Sequence, residues 1–200
     1  MYYETSKNDH GLPFNPFKAI VSPRPIGWIS SLDNEGRANL APYSFFNAIG
    51  DAPPMVMFSS SGYKDSVSNI DKTGEFVCNM ASWSLKDEMN VSSAPVPHET
   101  SEFGLAGLKT APSRLVKPPR VADALTALEC KHLKTMRMTA LDGSETDSYV
   151  VFGQVVAVHI DDSLVHDGRV DVTRIKPLSR LGYKDYAVIE TVFEMDRPDI

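Results

Sequence analysis

Two long apolar runs, ALECKHLKTMRM (127–138) and SYVVFGQVVAVHI (148–160), flank LDGSETD (141–147). Both runs are longer than an average strand, and the second is rich in valine. β-Branched side chains fit a pleated surface better than a helix. Asp142-Gly143 between them is a hairpin turn signal. A long antiparallel hairpin therefore sets the frame within which the rest of the chain must pair.

The other segments fit that frame. FKAIVSPRPIGWISSL (17–32) reads as two strand pieces separated by a kink, because Pro23 and Pro25 remove ladder donors. Asp33-Asn34-Glu35-Gly36 is a turn, and RANLAPYSFF (37–46) returns as a strand. MVMFSS (55–60) and EFVCNMA (75–81) are strands on either side of a short helix that begins near Asp65, a candidate N-cap, and stops at Gly74. SLKDEMNVSS (84–93) reads as a second short helix. The stretch 94–120 is dense in Pro, Gly and Ser and reads as an excursion, with one helical turn near Glu102–Ala106. Asp171 opens a capped segment that Pro177 cuts, and YAVIETVFE (186–194) is a closing strand. Long helices do not alternate with strands, so a doubly wound sheet is not expected. The expected fold is mainly β: an antiparallel β-barrel with a few short helices on its surface. One domain spans 1–200, with its core at about 17–191.

Composition narrows the function. A net charge of −6 argues against nucleic-acid binding, which needs clustered Lys and Arg. Cys78 and Cys130 are too few for a disulfide framework and read as buried thiols. The start, MYYETSKNDHG, lacks the pattern of a signal peptide, and no run has the length of a membrane span. The expectation is a cytoplasmic protein without membrane attachment. No Walker or G-x-G-x-x-G motif, no G-x-S-x-G elbow and no metal-ligand cluster of His and Cys occurs. No metal site is expected, and no catalytic acid or base is assigned.

Two clusters carry chemistry. In SSSGYKDSVSNI (59–70) a strand end feeds a helix start. Unpaired N–H groups, the positive end of the helix dipole, serine hydroxyls and Lys64 together suit a phosphate monoester. The same residues also serve an ordinary capped turn, with Asp65 as its cap. In APYSFFN (41–47) three aromatics fall within four residues and point to both faces of a strand. They suit a flat heteroaromatic ligand, or equally a core and a subunit interface.

With these clusters the chain resembles the flavin reductase-like family of FMN-binding split barrels, in its flavoprotein oxygenase-like and flavoredoxin-like branch. The matching residues are Ser22-Pro23-Arg24-Pro25-Ile26-Gly27-Trp28-Ile29-Ser30-Ser31, Asn39 through Asn47, Pro53-Pro54 with Phe58-Ser59, and Lys64-Asp65-Ser66. Glu102 through Leu108, Gly153-Gln154, Asp167-Gly168-Arg169 and Leu178-Ser179-Arg180-Leu181-Gly182 follow in order, so the resemblance runs from about Phe17 to Tyr186. It implies an antiparallel Greek-key split β-barrel with a few short peripheral helices, a homodimer with noncovalent FMN near the subunit interface, and NADH or NADPH as a transient electron donor to small-molecule chemistry.

By position, the resemblance places Lys64, Ser59, Ser60, Ser61 and Ser66 around the FMN phosphate. Trp28, Ser30 and Ser31 on one strand, with Asn39, Tyr43 and Ser44 on the next, would meet the ring and ribityl chain, as would Phe45, Phe46 and Asn47. Arg180 would approach the flavin. The family often carries Arg-Leu-Gly-Gly, and here Tyr183 takes the second glycine's place. A tyrosine does not readily adopt positive φ or allow close approach, so Tyr183 is expected to bear on how open the site is to nicotinamide, and to cover one face of the flavin. Two other readings stand beside an NAD(P)H-dependent flavin oxidoreductase: a noncatalytic FMN electron carrier and a flavin-free interaction module.

Overall fold

A computed structural model describes residues 1–198; positions 199 and 200 of the expected domain lie outside the described residues. Seven strands form the main sheet: β1 (Gly27–Leu32), β2 (Ala38–Tyr43), β3 (Phe46–Asp51), β4 (Pro54–Ser61), β5 (Glu75–Met80), β6 (Thr126–Thr139) and β7 (Glu145–Ile160). All pairings are antiparallel, in the order β2-β1-β5-β6-β7-β4-β3. The β6–β7 hairpin turns through Asp142-Gly143, where Gly143 has φ +82°.

The strand order itself demands closure. β2 and β3 stand at opposite ends of the sheet, yet only Ser44 and Phe45 separate them. Two linking residues cannot bridge more than roughly 10 Å, so the sheet curls until its edges meet. The Tyr43 and Phe58 rings, on β2 and β4, are 4.6 Å apart across that junction. This is the split barrel. The expected continuous strand 37–46 is corrected accordingly: it breaks at Ser44-Phe45 because its two halves belong to different edges.

β1 is buried on both faces, so its side chains alternate between two cores. Ile29 joins Val56, Phe58, Phe76 and Val151 in the barrel interior, sealed by Val67 and Ile70 of helix α1 (Asp65–Thr73). Trp28 joins Leu40, Leu85, Met89 and Phe103 outside it, where the short helices Lys86–Val91 and Glu102–Leu105 pack. Gly153 on β7 leaves the space taken by Phe76: a Cβ there would stand 2.3 Å from the ring. Cys78 and Cys130 are both buried and free.

A second, three-stranded sheet joins Arg24–Pro25, Leu178–Arg180 and Tyr186–Val188. Two expectations change here. Phe17–Ile20 is a helical turn rather than part of a strand. The closing strand stops at Val188 instead of 194, since the chain makes no further backbone hydrogen bond among the described residues after Ile189 N–H meets the Pro177 carbonyl.

The 94–120 excursion is ordered by buried polar contacts. Glu129 on β6, fully buried, accepts N–H bonds from Arg114 (2.7 Å), Leu115 (2.6 Å) and Val116 (3.1 Å) and pairs with His159 Nε2 at 2.5 Å. Ser30 Oγ donates to the Pro119 carbonyl, and Asn79 Oδ1 accepts from Val121 N–H. No described helix is long and apolar enough to cross a membrane.

Candidate functional site

The start of α1 is left open. Its N-cap is Lys64, with extended backbone and no side-chain capping bond. The first-turn N–H groups therefore keep their donors, at the positive end of a nine-residue helix. Asp65 does not cap the helix as the sequence suggested. Its carboxylate faces His98 Nδ1 at 2.8 Å, and His98 Nε2 lies 3.3 Å from Asp33. The Asp65 hydrogen bond, with Asp33 behind it, raises the His98 pKa. The pairing diverts the negative charge nearest the open helix end.

This helix end lines a cleft of about 370 Å³ together with Asn39, Tyr43, Tyr63 and the 92–96 segment. Asn39 Nδ2 donates to Ser66 Oγ at 2.9 Å. The Tyr43 hydroxyl lies beside Ser66 and Ser60, and burial pushes its pKa up. Glu102 borders the cleft but is turned to Leu40 N–H at 3.0 Å, and burial raises its pKa. Lys64 forms no ion pair among the described residues.

At Pro42 and Ser93 this cleft meets a second, of about 270 Å³. Its lining includes Lys18, Arg24, Ser44, Arg180, Tyr183 and Tyr186, and no carboxylate. Arg24 is 6% exposed and spends both terminal nitrogens on the carbonyls of Lys18, Val21 and Leu181. Its Nε is buried without a partner. Burial, then the neighbouring Arg180, lowers its pKa. Lys18 and Arg24 also stand over the Phe45 ring, at 5.8 and 5.7 Å.

Tyr183 occupies a tight turn closed by Asp185 N–H to the Gly182 carbonyl at 2.9 Å. Its φ is +55°, so it holds the left-handed conformation that the sequence reading reserved for glycine. Arg180 Nη2 fastens that turn by donating to the Tyr183 carbonyl at 2.6 Å. The Tyr183 ring packs edge-on against Phe14, 5.9 Å away. Gly182 is needed beside it, because a Cβ would fall 2.7 Å from the Ala19 Cα.

Of the residues singled out in the sequence, Asn39, Tyr43, Lys64, Ser66, Ser44, Arg180 and Tyr183 are brought to the two clefts, with Ser60 beneath Tyr43. Others are not. Trp28 is fully buried and donates to Ser92 Oγ at 2.8 Å, so it supports the cleft wall from behind. Ser30 is bonded to Pro119, and Ser31 Oγ accepts from Asn69 at 3.3 Å in the interior. Ser59 and Ser61 alternate to the sheet face opposite Ser60, away from the lining. Phe46 fills the space above Gly27, and exposed Asn47 accepts from Ala48 N–H. Phe45 lies half-exposed beside the basic cleft. The sequence reading passed over Lys18, Ser93 and His98, which no local motif marks, and gave Tyr63 no role although it stands inside the 59–70 motif. Arg24 stood inside a proline-flanked motif without a role.

Comparison with known proteins places this geometry. The sequence profile of the flavin reductase like domain matches residues 21–175. The chain belongs to that family. A relative from Aquifex aeolicus is 34% identical over 192 residues, 93% of this chain and 94% of its own length. The crystal structure of nitrilotriacetate monooxygenase component B from Bacillus cereus superposes with a TM-score of 0.88 at 28% identity, covering 98% of each chain. The 2-nitrobenzoate 2-nitroreductase of Pseudomonas fluorescens gives 0.86 at 29% identity, covering 99% of this chain and 96% of that one. Flavoredoxin of Desulfovibrio vulgaris, 16% identical with a TM-score of 0.79, shares the fold of this flavin reductase-like chain.

Proposed function

We propose that this chain is an FMN-binding oxidoreductase that accepts reducing equivalents from NADH or NADPH and hands them to free flavin, oxygen or a partner. The observation that carries the reading is the pair of joined clefts. One end offers an uncapped helix start and Lys64, which has no ion pair among the described residues, and the other offers a basic and aromatic surface with no carboxylate in its described lining. The two ends suit the phosphate and the flat ring of one elongated anion.

FMN, when bound, would supply the hydride and electron chemistry. The chain's residues bind and orient. Lys64 and the first turn of α1 hold a phosphate, while Asn39, Ser66 and Tyr43 offer hydrogen bonds along the connecting chain. Lys18 and Arg180 favour negative charge on a ring lodged beside them. Hydride transfer itself needs no general base. Family membership and the flavin reductase-like neighbours support the reading. A homodimer is part of it: Phe17, Ile20 and Ile49 are exposed apolar side chains on one chain alone.

The second reading is a noncatalytic FMN electron carrier. Tyr183 favours it, because its half-exposed ring stands on the cleft where a nicotinamide would enter. The absorbance spectrum of the purified protein, followed by anaerobic stopped-flow mixing with NADH and NADPH, separates the readings. A yellow protein bleached by either donor is the expected result. A yellow protein bleached by neither is the carrier, and a colourless protein that takes up no FMN removes both.

A further inference from the structure

The basic cleft does not end at Arg180. At Met89 and Tyr186 it opens into a third cleft, of about 370 Å³, lined by Trp83, Lys86, Asp87, Leu178 and Lys184. Trp83 begins a short 3-10 turn and is 50% exposed, although the other tryptophan, Trp28, is wholly buried. Exposing half of an indole forgoes much of the stabilisation that its burial gives. Here the indole borders a concavity floored by buried Met89 and Leu178.

Cations surround it. The Lys86 ammonium stands 4.9 Å over the Trp83 ring, and Arg180 stands 4.4 Å over Tyr186. The one carboxylate of the lining, Asp87, pairs with Lys86 at 2.7 Å. Arg180 and Lys184 form no ion pair among the described residues. In a chain of net charge −6 this is a local reversal of sign beside an aromatic wall.

We propose that the Trp83 cleft is a second ligand subsite that takes a planar aromatic molecule carrying an anionic group. The ring lies against Trp83 and Met89, and the anion faces Lys184, with Arg180 beyond Tyr186 in the adjoining basic cleft. The inference rests on the function proposed above in one respect: the ligand would be the one that exchanges electrons with a cofactor in the adjoining clefts. An aromatic carboxylate and a nucleotide phosphate share this chemistry.

The test is titration calorimetry on the purified protein with four probes: benzoate, AMP, and their neutral counterparts benzyl alcohol and adenosine. Benzoate, AMP or both should saturate, and the neutral counterpart of a binding probe should bind about tenfold more weakly or worse. Trp83→Ala should weaken the charged probe about tenfold and Lys184→Gln about threefold or more, while Trp83→Phe keeps most of the affinity. Saturation by benzoate alone assigns a carboxylate ligand, and by AMP alone a nucleotide. The proposal is overturned if neither charged probe binds, if the neutral probes bind equally well, or if Trp83→Ala binds as wild type. FMN content, read by absorbance on the same samples, reports the proposed function separately. Trp83-dependent binding to a protein that takes up no flavin would keep the subsite and remove the oxidoreductase.

Discussion

Replacing Lys64 with alanine tests the phosphate end of the site most directly. The ammonium is exposed, unpaired among the described residues and set at the open start of α1. A charge-assisted hydrogen bond is worth about 1.5–3 kcal/mol. Solvent exposure lowers that to about 1–2 kcal/mol, or roughly 5- to 30-fold in Kd. The first-turn N–H groups and the helix dipole remain in the variant, so binding weakens without vanishing. The informative assay titrates flavin-free protein with FMN and with riboflavin, which lacks the phosphate. Lys64→Ala should cost the stated factor for FMN and nothing for riboflavin. The difference between the two flavins should narrow as salt is raised, because exposed charges are screened. Equal losses for both flavins, or none for FMN, would refute the assignment of Lys64 to a phosphate.

Three further outcomes follow from other contacts. Glu129→Gln strips the charge from a buried acceptor of three N–H bonds and should cost about 2–4 kcal/mol in urea unfolding at neutral pH. Burial pushes the Glu129 pKa up, but the His159 and backbone bonds outweigh it and hold it below 4.5. The contribution is therefore present above pH 4.5 and fades as pH falls through the lower folded value, so the gap between wild type and variant must shrink in acid. Tyr183→Gly should change stability by no more than about 1 kcal/mol, because relief of positive φ offsets the extra chain entropy of glycine; a loss above 2 kcal/mol, again in urea unfolding, would contradict that account of the turn. The His98 pKa lies above 6.5, raised first by Asp65. Its pairing is complete below pH 6.5 and is lost as pH rises through the raised value, and Asp65→Asn should bring the NMR-measured pKa back toward 6.5.

Local signals carried much of the fold. Gly74 stops α1 in the left-handed conformation, as the sequence around Lys64 implied, and Asp142-Gly143 turns the long hairpin. The break at Ser44-Phe45 was not legible, because nothing local tells APYSFF that its halves serve opposite sheet edges. The site divided along the same line. Lys64 and Ser66 share one short strand-to-helix motif and Asn39 and Tyr43 one strand, so each pair was legible, although the Asn39–Ser66 bond that joins them spans 27 residues. Alternation along β4 turned Ser59 and Ser61 away while keeping Ser60, and a cluster of serines does not announce its register. Lys18, Arg24 and Arg180 converge from positions far apart in the chain, so their sum of charge exists only after folding.

The wall formed by residues 92–96 belongs to a segment moored at Ser92, Glu102, Pro119 and Val121 and, between them, at Glu129. Such a wall cannot swing as an independent flap. A molecule seated in the cleft would meet this wall as a fixed surface, and shifting the wall would require opening of a unit that includes the core around Trp28. Mobility of the wall and hydrogen-exchange protection of the Leu115 and Val116 amides then become two readings of one event.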